Sequence, residues 1–328
     1  MLPNNNPEVQ AVLCKLAQHF LSGSVKFGLN VDEVDSLTPE VQKSFLNSTI
    51  YLTRFKKYPL NNHFCRIFFK KLIAYLEREQ DIHDEIYLFL CSEMEKPAED
   101  EEFCYRHYVL KNNINNIITI KETKNMVVHG TTGMKTWEAA FMLTDWALCN
   151  EELLKNKRLL ELGSGVGFTG IAITKHCNIQ SITLTDCHEE VVSTIKDNIR
   201  INLPQFQEEK MHSKVTFSDK QKSLEVTMLD WNYVEHIPDD VVPDILVGAD
   251  IVYDPSILPA LCNVLQTFFR KNNNLDVYIA SVIRNKDTFK QFLGALDKLS
   301  LKHEEIQLQP VCVGWDEKIK RKFIKINM

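Results

Sequence analysis

The chain has 328 residues, 44% apolar and 25% charged, with a formal net charge of −6. That is the composition of a globular chain with a sizeable core, and the negative balance without a basic tail disfavours nucleic acid or an anionic membrane as a partner. The nine cysteines are odd in number and form no C-x-x-C pair, so they read as reduced thiols, with neither a disulfide frame nor a metal site expected.

The opening MLPNNNPEVQ has no basic and apolar leader pattern, and no apolar run reaches the length of a membrane span, so a cytoplasmic address is expected. Residues 1–102 read as an N-terminal all-α region. Val9, Val12, Leu13, Leu16, Phe20 and Leu21 recur at helical spacing. A second amphipathic segment spans Val41 to Phe55, with Thr38 as cap and Pro39 at its first position. Phe64–Glu77 and Glu85–Met94 follow as the third and fourth. Phe64, Phe68 and Phe69 form a patch that must be buried somewhere. The acidic run Glu95–Glu102 reads as a solvated linker, which puts a domain boundary near Phe103.

Residues 103–328 read as a second domain. Short strands fill 106–130, and Thr136–Asn150 is helical. Strands and helices then alternate: Arg158–Leu162, helix Thr169–His176; Ile182–Thr185, helix Glu189–Ile201; Leu224–Leu229; Ile245–Ala249, helix Pro255–Arg270; Val277–Val282, helix Lys286–Leu299. Glu305–Gln309 and Lys322–Ile326 close the chain as an antiparallel edge, and Pro204–Ser223 is a polar insertion. Alternating β and α with apolar strands predicts an α/β, Rossmann-like fold, a mostly parallel sheet with helices on both faces.

In such a sheet the ligand lies beyond the carboxyl ends of the strands, and four expected strands here end in an acid: Glu161, Asp186, Asp230 and Asp250. Each alone could be a helix cap; four on one rim make a negative cleft. The stretch ELGSGVGFTG after the first strand fits two glycine patterns. Gly165, Gly167 and Gly170 spell the dinucleotide fingerprint G-x-G-x-x-G, whereas Glu161 with Gly163, Gly165 and Gly167 spells the E-x-G-x-G-x-G of S-adenosylmethionine sites. Asp186 suits the ribose hydroxyls in either case. Three features favour S-adenosylmethionine. Glu161 can hold the amino group of a methionine moiety and would repel a pyrophosphate. Asp230 and Trp231 can take an adenine by hydrogen bond and by stacking, unless the indole is simply core. There is also no second glycine fingerprint. Asp250 and Tyr253 sit at the expected reaction mouth, where a carboxylate attracts and orients a lysine side chain; a cap for the helix near Pro255 is the alternative for Asp250. His129, His176, His188 and His236 lack metal-ligand spacing.

ELGSGVG, LTDCH, LDW and ADIVY together resemble the seven-β-strand lysine methyltransferases, whose hallmark is D-x-x-Y at the fourth strand. HGTTGMKTWEAAFMLTDWALCN (His129–Asn150) and SVIRN (Ser281–Asn285) are similar to the branch acting on elongation factor 2. His129 departs from the aromatic residue usual before G-T-T-G. The resemblance implies a seven-stranded sheet and S-adenosylmethionine as cofactor. It lines the cofactor site with Trp137, Gly163, Ser164, Gly165, Asp186, Trp231 and Ala249, and turns Asp250 and Tyr253 to the target lysine. It also implies a translation-factor substrate, with residues 1–102 as a possible docking region. Two alternatives stay open: a cofactor-binding module without catalysis, and a nicotinamide-dependent oxidoreductase using the Gly165–Gly170 register.

Overall fold

The computed structural model describes residues 6–97, 102–128, 130–211, 214–234, 237, 241–315 and 318–328. His129, His236 and residues 98–101 of the acidic run lie outside the described residues. The chain divides into two compact units, Met1–Asn125 and Met126–Met328.

The first unit opens with helices α1 (Pro7–Leu21), α2 (Val31–Asp35), α3 (Pro39–Asn47), α4 (Thr53–Lys57), α5 (Asn62–Leu76) and α6 (Asp84–Glu95). Their starts are written in the sequence. Asn6 accepts the N–H of Glu8 ahead of Pro7, Asn30 and Glu33 form a reciprocal capping box, and Asn61 accepts the N–H of Phe64. Thr38 precedes α3 as expected, but its hydroxyl donates to Glu40 instead of capping the backbone. The segment expected to run from Val41 to Phe55 breaks into α3 and α4, because Ser48 and Thr49 turn their hydroxyls back to the carbonyls of Ser44 and Phe45. Phe20, Phe45, Phe68 and Phe69 are fully buried, with Phe20 edge-on to Phe68 at 5.0 Å between ring centroids. The phenylalanine patch is thus this unit's own core, with Phe64 packed at its margin.

The hairpin of β1 (Phe103–Val109) and β2 (Ile117–Thr123) belongs to this first unit, so the contacts divide the chain later than Phe103. The reason is a set of buried polar links to the helices. His107 Nε2 lies 2.9 Å from the Tyr58 carbonyl, Arg54 donates to Thr119 Oγ1 at 3.0 Å, and Ile117 joins the helical core.

The second unit holds α7 (Glu138–Cys149), α8 (Glu151–Leu154), β3 (Arg158–Leu162), α9 (Phe168–His176), β4 (Ser181–Asp186), α10 (Glu189–Asn202), β5 (Gln207–Met211), β6 (Lys214–Ser218), β7 (Ser223–Met228), β8 (Ile245–Ala249), α11 (Leu258–Lys271), β9 (Asp276–Val282), α12 (Lys286–Lys298), β10 (Lys302–Glu305) and β11 (Arg321–Asn327). A short 3-10 turn, Pro255–Ile257, precedes α11. Among the described residues these strands form one sheet in the order β10-β11-β9-β8-β3-β4-β7-β6-β5. The seven strands from β10 to β7 are those expected. The other two come from the polar insertion, which folds into the antiparallel pair β5–β6 and extends the sheet edge. Strand β10 lies earlier than the expected Glu305–Gln309, pairing Lys302 with Asn327.

Pairing is parallel among β7, β4, β3, β8 and β9 and antiparallel at both margins. The pleat sorts the side chains of each strand between two helical layers. Leu160 and Leu162 of β3, Leu246 of β8, and Val277 and Ile279 of β9 join a core with Phe268, Phe269 and Phe292 of α11 and α12. On the other face Tyr278 stacks on Trp146 of α7 at 4.1 Å. The chain runs β3→β4→β7 toward one edge and returns to β8 beside β3, so the switch point of the sheet falls between β3 and β8.

Candidate functional site

At that switch point the chain turns sharply out of β3. Gly163, Gly165 and Gly167 have φ of +61°, +52° and +83°, the left-handed region in which side chains are strained. All three are also crowded, a Cβ on Gly167 coming within 3.2 Å of Ile195. A Cβ on Gly163 would come within 2.9 Å of Ile251 and 3.6 Å of the Trp231 ring, and one on Gly165 within 3.0 Å of the Gly133 carbonyl. These glycines therefore let the turn pack directly against the loop before α7, Ile251 after β8 and Trp231 after β7. Ser164 pins the loop to β4, its N–H donating to the Thr185 carbonyl at 2.8 Å and its hydroxyl accepting from the Thr185 N–H at 3.0 Å. Gly170 has another task. A Cβ there would run into Leu184, so its absence lets α9 lie close on the sheet, whichever glycine register is read.

Asp186 ends β4 beside the loop, accepting from the N–H of Gly165 and of His188, each at 3.3 Å. It is nearly buried, and burial raises its carboxyl above the usual range. Asp230 follows β7, half-buried, with Oδ1 accepting from the Asn232 backbone and side-chain amides at 2.9 Å. Trp231 is half-buried and packs against the α11–α12 core, as the core reading has it, with its ring beside Gly163.

Glu161 departs from the open rim. The pleat sends it to the α7–α9 face, where it is 2% exposed, with Oε2 about where a Gly170 Cβ would be met, at 3.0 Å. Among the described residues Oε2 has no hydrogen-bond partner. Burial pushes this carboxyl up to about 8, even though Ser164, Gly170 and Thr169 pull it down. Near neutral pH it is then largely uncharged in the ligand-free chain, and the argument that it repels a pyrophosphate loses its force.

Beyond β8 the structure brings together three residues from distant segments. Asp250 has φ +57°, an uncommon backbone for aspartate and a local strain at a strand end. Its N–H donates to the Ala280 carbonyl at 2.8 Å. Its Oδ1 accepts the Val282 N–H at 2.8 Å and its Oδ2 accepts from Arg284 Nη2 at 2.9 Å. The Arg284 guanidinium also lies 4.9 Å from the centre of the Trp137 ring, whose Nε1 donates to the Thr132 carbonyl at 2.9 Å. Ala249 sits half-buried just before Asp250. The cap reading of Asp250 is removed, since Asp254 is the residue that caps the turn before α11, accepting the Ser256 N–H at 2.8 Å. Tyr253 is exposed at the rim. Partial burial, with Cys187, Asp254 and Asp186 around it, raises its hydroxyl above the ordinary range.

Sequence reasoning passed over Arg284 and Gly133 as site residues. Arg284 was findable, since it lies two residues past the end of β9 and so on the same rim. Gly133 was not, because its role depends on a loop folding back over Gly165. Among the described residues one cluster of metal-ligand types joins Asp145 and Cys149 of α7 to Cys312; Asp145 there accepts the N–H groups of Val311, Cys312 and Val313 and so anchors a loop.

The lysine methyltransferase family matches residues 113–299, more than half of the chain. Protein-lysine N-methyltransferase EEF2KMT of Homo sapiens is 27% identical over 317 residues, covering 93% of this chain and 92% of that protein. The protein of the same name from Bos taurus is 31% identical over 286 residues, covering 83% and 82%. Protein-lysine N-methyltransferase EFM3 of Saccharomyces cerevisiae is 29% identical over 200 residues, covering 56% and 55%. With a family match across the glycine turn and the Asp250 rim, and a relative more than 30% identical along most of both chains, this chain belongs to the lysine methyltransferase family.

Proposed function

We propose that the chain transfers methyl groups from S-adenosylmethionine to a lysine of elongation factor 2. The single observation that carries the site assignment is the left-handed glycine turn at the switch point, with Asp186 bonded to it. Side chains on Gly163 or Gly165 would strike Ile251 and the Gly133 carbonyl, so the turn requires glycine there. Such a turn lets backbone approach a nucleoside closely, and Asp186 stands at the loop with carboxylate oxygens for ribose hydroxyls. The cofactor residues are then Trp137, Glu161, Gly163, Ser164, Gly165, Gly167, Asp186, Asp230, Trp231 and Ala249, with Gly133 added. Bound there, S-adenosylmethionine supplies an electrophilic methyl group on a cationic sulfur. Elongation factor 2 as substrate is supported by the motifs of residues 129–150 and 281–285 and by the relatives named EEF2KMT.

Asp250 and Tyr253 face the lysine in this reading. Asp250 offers a fixed carboxylate, its position set by the strained backbone and by the Val282 N–H, so that the side chain keeps one geometry toward an incoming amine. Burial raises the Tyr253 hydroxyl above its ordinary range, so near neutral pH it is protonated and can donate, accept or stack without acting as the base. The amine proton leaves to water, and most of the acceleration is alignment, which can supply about 7–11 kcal/mol of a barrier.

The test is transfer of labelled methyl from S-adenosylmethionine to elongation factor 2. Asp250→Asn, which tolerates the left-handed backbone, should lose at least about a hundredfold in kcat while keeping the cofactor-induced thermal shift. Cofactor binding by the wild-type chain without transfer would point instead to a non-catalytic module. A shift with NADH and none with S-adenosylmethionine would overturn the cofactor assignment.

A further inference from the structure

A carboxylate alone is a poor companion for a lysine that must react. Methyl transfer needs the neutral amine, free lysine titrates near 10.4, and an opposite charge at about 4–6 Å holds it still more firmly as ammonium. Asp250 is not alone. One of its oxygens takes the Val282 N–H at 2.8 Å and the other an Arg284 nitrogen at 2.9 Å. Its side chain is only 7% exposed, whereas Arg284 is 46% exposed and held from its other side by the Trp137 ring. Trp137 is itself tied by its Nε1 to the loop before α7. Three segments far apart in the chain thus cooperate to keep one guanidinium against one carboxylate.

We propose that Arg284 is a positioning residue that cancels the charge of Asp250, so that the carboxylate orients the target lysine without holding it as an ammonium ion. The proposal rests on the reading of Asp250 as the lysine-facing acid. The pair is neutral as a unit, and its remaining lone pairs still accept a hydrogen bond from an amine N–H. The lysine proton then leaves to solvent at a lower pH than beside an uncompensated aspartate.

Other titratable groups near this rim do not duplicate the effect. Asp186 and Asp230 lie at the ends of β4 and β7, and Asp254 is engaged by Ser256. Cys187 is raised to about 11 by burial and the neighbouring Asp186 and Asp230, and Tyr253 is raised as well, so both stay neutral. Glu138, next to Trp137, is paired with Arg321. Lys286 and Asp287 open α12, where the Asp287 N–H bonds to Asn285.

The experiment measures kcat against pH from 6 to 10 on the full chain with elongation factor 2, for wild type, Arg284→Lys, Arg284→Met and Arg284→Gln. The kcat profile reports groups titrating in the bound complex. Both neutral variants should shift the acid limb up by about one unit, a roughly tenfold loss at pH 7.5 that shrinks toward pH 10, and Arg284→Lys should restore most of it. Glutamine can still hydrogen-bond Asp250, so a normal profile in Arg284→Gln would overturn the charge argument, and that variant carries the test should methionine unfold the loop. A loss equal at every pH in both would also overturn it. A second readout does not depend on turnover. Calorimetry of substrate binding at pH 8, in two buffers of different ionisation heat with S-adenosylhomocysteine present, should count fewer protons released by both neutral variants than by wild type; equal counts would sink the idea. If the wild type transfers no methyl group, it is the functional reading that falls, and the calorimetric comparison still decides the role of Arg284.

Discussion

Glu161 is a carboxyl sealed beneath the first turn of a helix, and its pH dependence has the opposite sign to that of a salt-bridged acid. Burial raises its folded value to about 8, against an ordinary 4.5. Between those values the folded chain keeps a proton that the unfolded chain has released, so stability falls as pH rises through this window, and the full penalty is present above about 8. Glu161→Gln removes the titration at similar volume. It should stabilise the ligand-free chain by about 2–4 kcal/mol at pH 8 and by almost nothing at pH 4, because 1 pK unit corresponds to about 1.36 kcal/mol and the amide is also costly to bury. Denaturant unfolding at the two pH values checks this, and equal stabilisation at both would refute it. The same variant tests the proposed role toward the cofactor. If Glu161 holds the methionine amino group, the substitution should weaken S-adenosylmethionine binding at least about tenfold although the protein itself is firmer. Unchanged affinity would leave Glu161 with a structural role alone.

At the scale of elements, the hairpin of β1 and β2 shows how a buried polar chain ties a strand pair to helices. Arg54 donates to Thr119 Oγ1, the Thr119 hydroxyl can donate to His107 Nδ1 at 2.9 Å, and His107 Nε2–H reaches the Tyr58 carbonyl. This arrangement needs a neutral imidazole. Burial first, and the Arg54 charge in addition, push His107 down to about 4. The unfolded chain therefore binds the proton first, so stability is full above about 6.5 and is lost as pH falls toward 4, amounting to on the order of 2 kcal/mol by pH 5. His19, also lowered by burial, acts with the same sign. All four tryptophans lie at or beyond residue 137, so the loss should appear in the helical far-UV signal and not in tryptophan fluorescence. His107→Gln should flatten the far-UV dependence, and an unchanged slope would sink the assignment. This link could not be read from the sequence, because an isolated histidine in a strand carries no signal of what its nitrogens will meet. The pair β5–β6 was hidden for the opposite reason: every residue of β5 is exposed, so there is no apolar alternation to reveal it. The parallel core strands were legible because burial on both faces makes them short apolar runs. The rim acids were legible because such strands must end there. Gly133 and the hidden side of Glu161 were not, since each depends on which way one loop or one pleat turns.

At the scale of the whole molecule, the question is where the catalytic unit begins. A composition shift places it at Phe103 and the family match begins at residue 113, yet the contacts divide the chain between Asn125 and Met126. Each unit has its own apolar core, one built on Phe20, Phe45, Phe68 and Phe69, the other on Leu160, Leu246, Phe268 and Phe292. Ile117 belongs to the first of these, and burying such a side chain contributes about 1.5–3 kcal/mol. A fragment of residues 103–328 would carry the hairpin without the helices that bury it, leaving Ile117 and the groups around His107 and Thr119 without partners. A fragment of residues 126–328 begins at the division itself and leaves the hairpin with the helices that bury it. The shorter fragment is therefore expected to be the better behaved of the two: soluble, and stabilised by S-adenosylmethionine by about 2.7 kcal/mol at a hundredfold excess over Kd. The longer one should lose residues 103–125 to limited proteolysis and reach the same melting temperature once trimmed. If instead 103–328 melts higher than 126–328 and resists the protease, the hairpin is part of the catalytic unit and the division at Asn125 is wrong. With the boundary fixed, methyl transfer by 126–328 against its cofactor affinity isolates what residues 1–125 do. Normal cofactor binding with a raised KM for elongation factor 2 assigns the first unit to docking, and an unchanged KM removes it from substrate recognition.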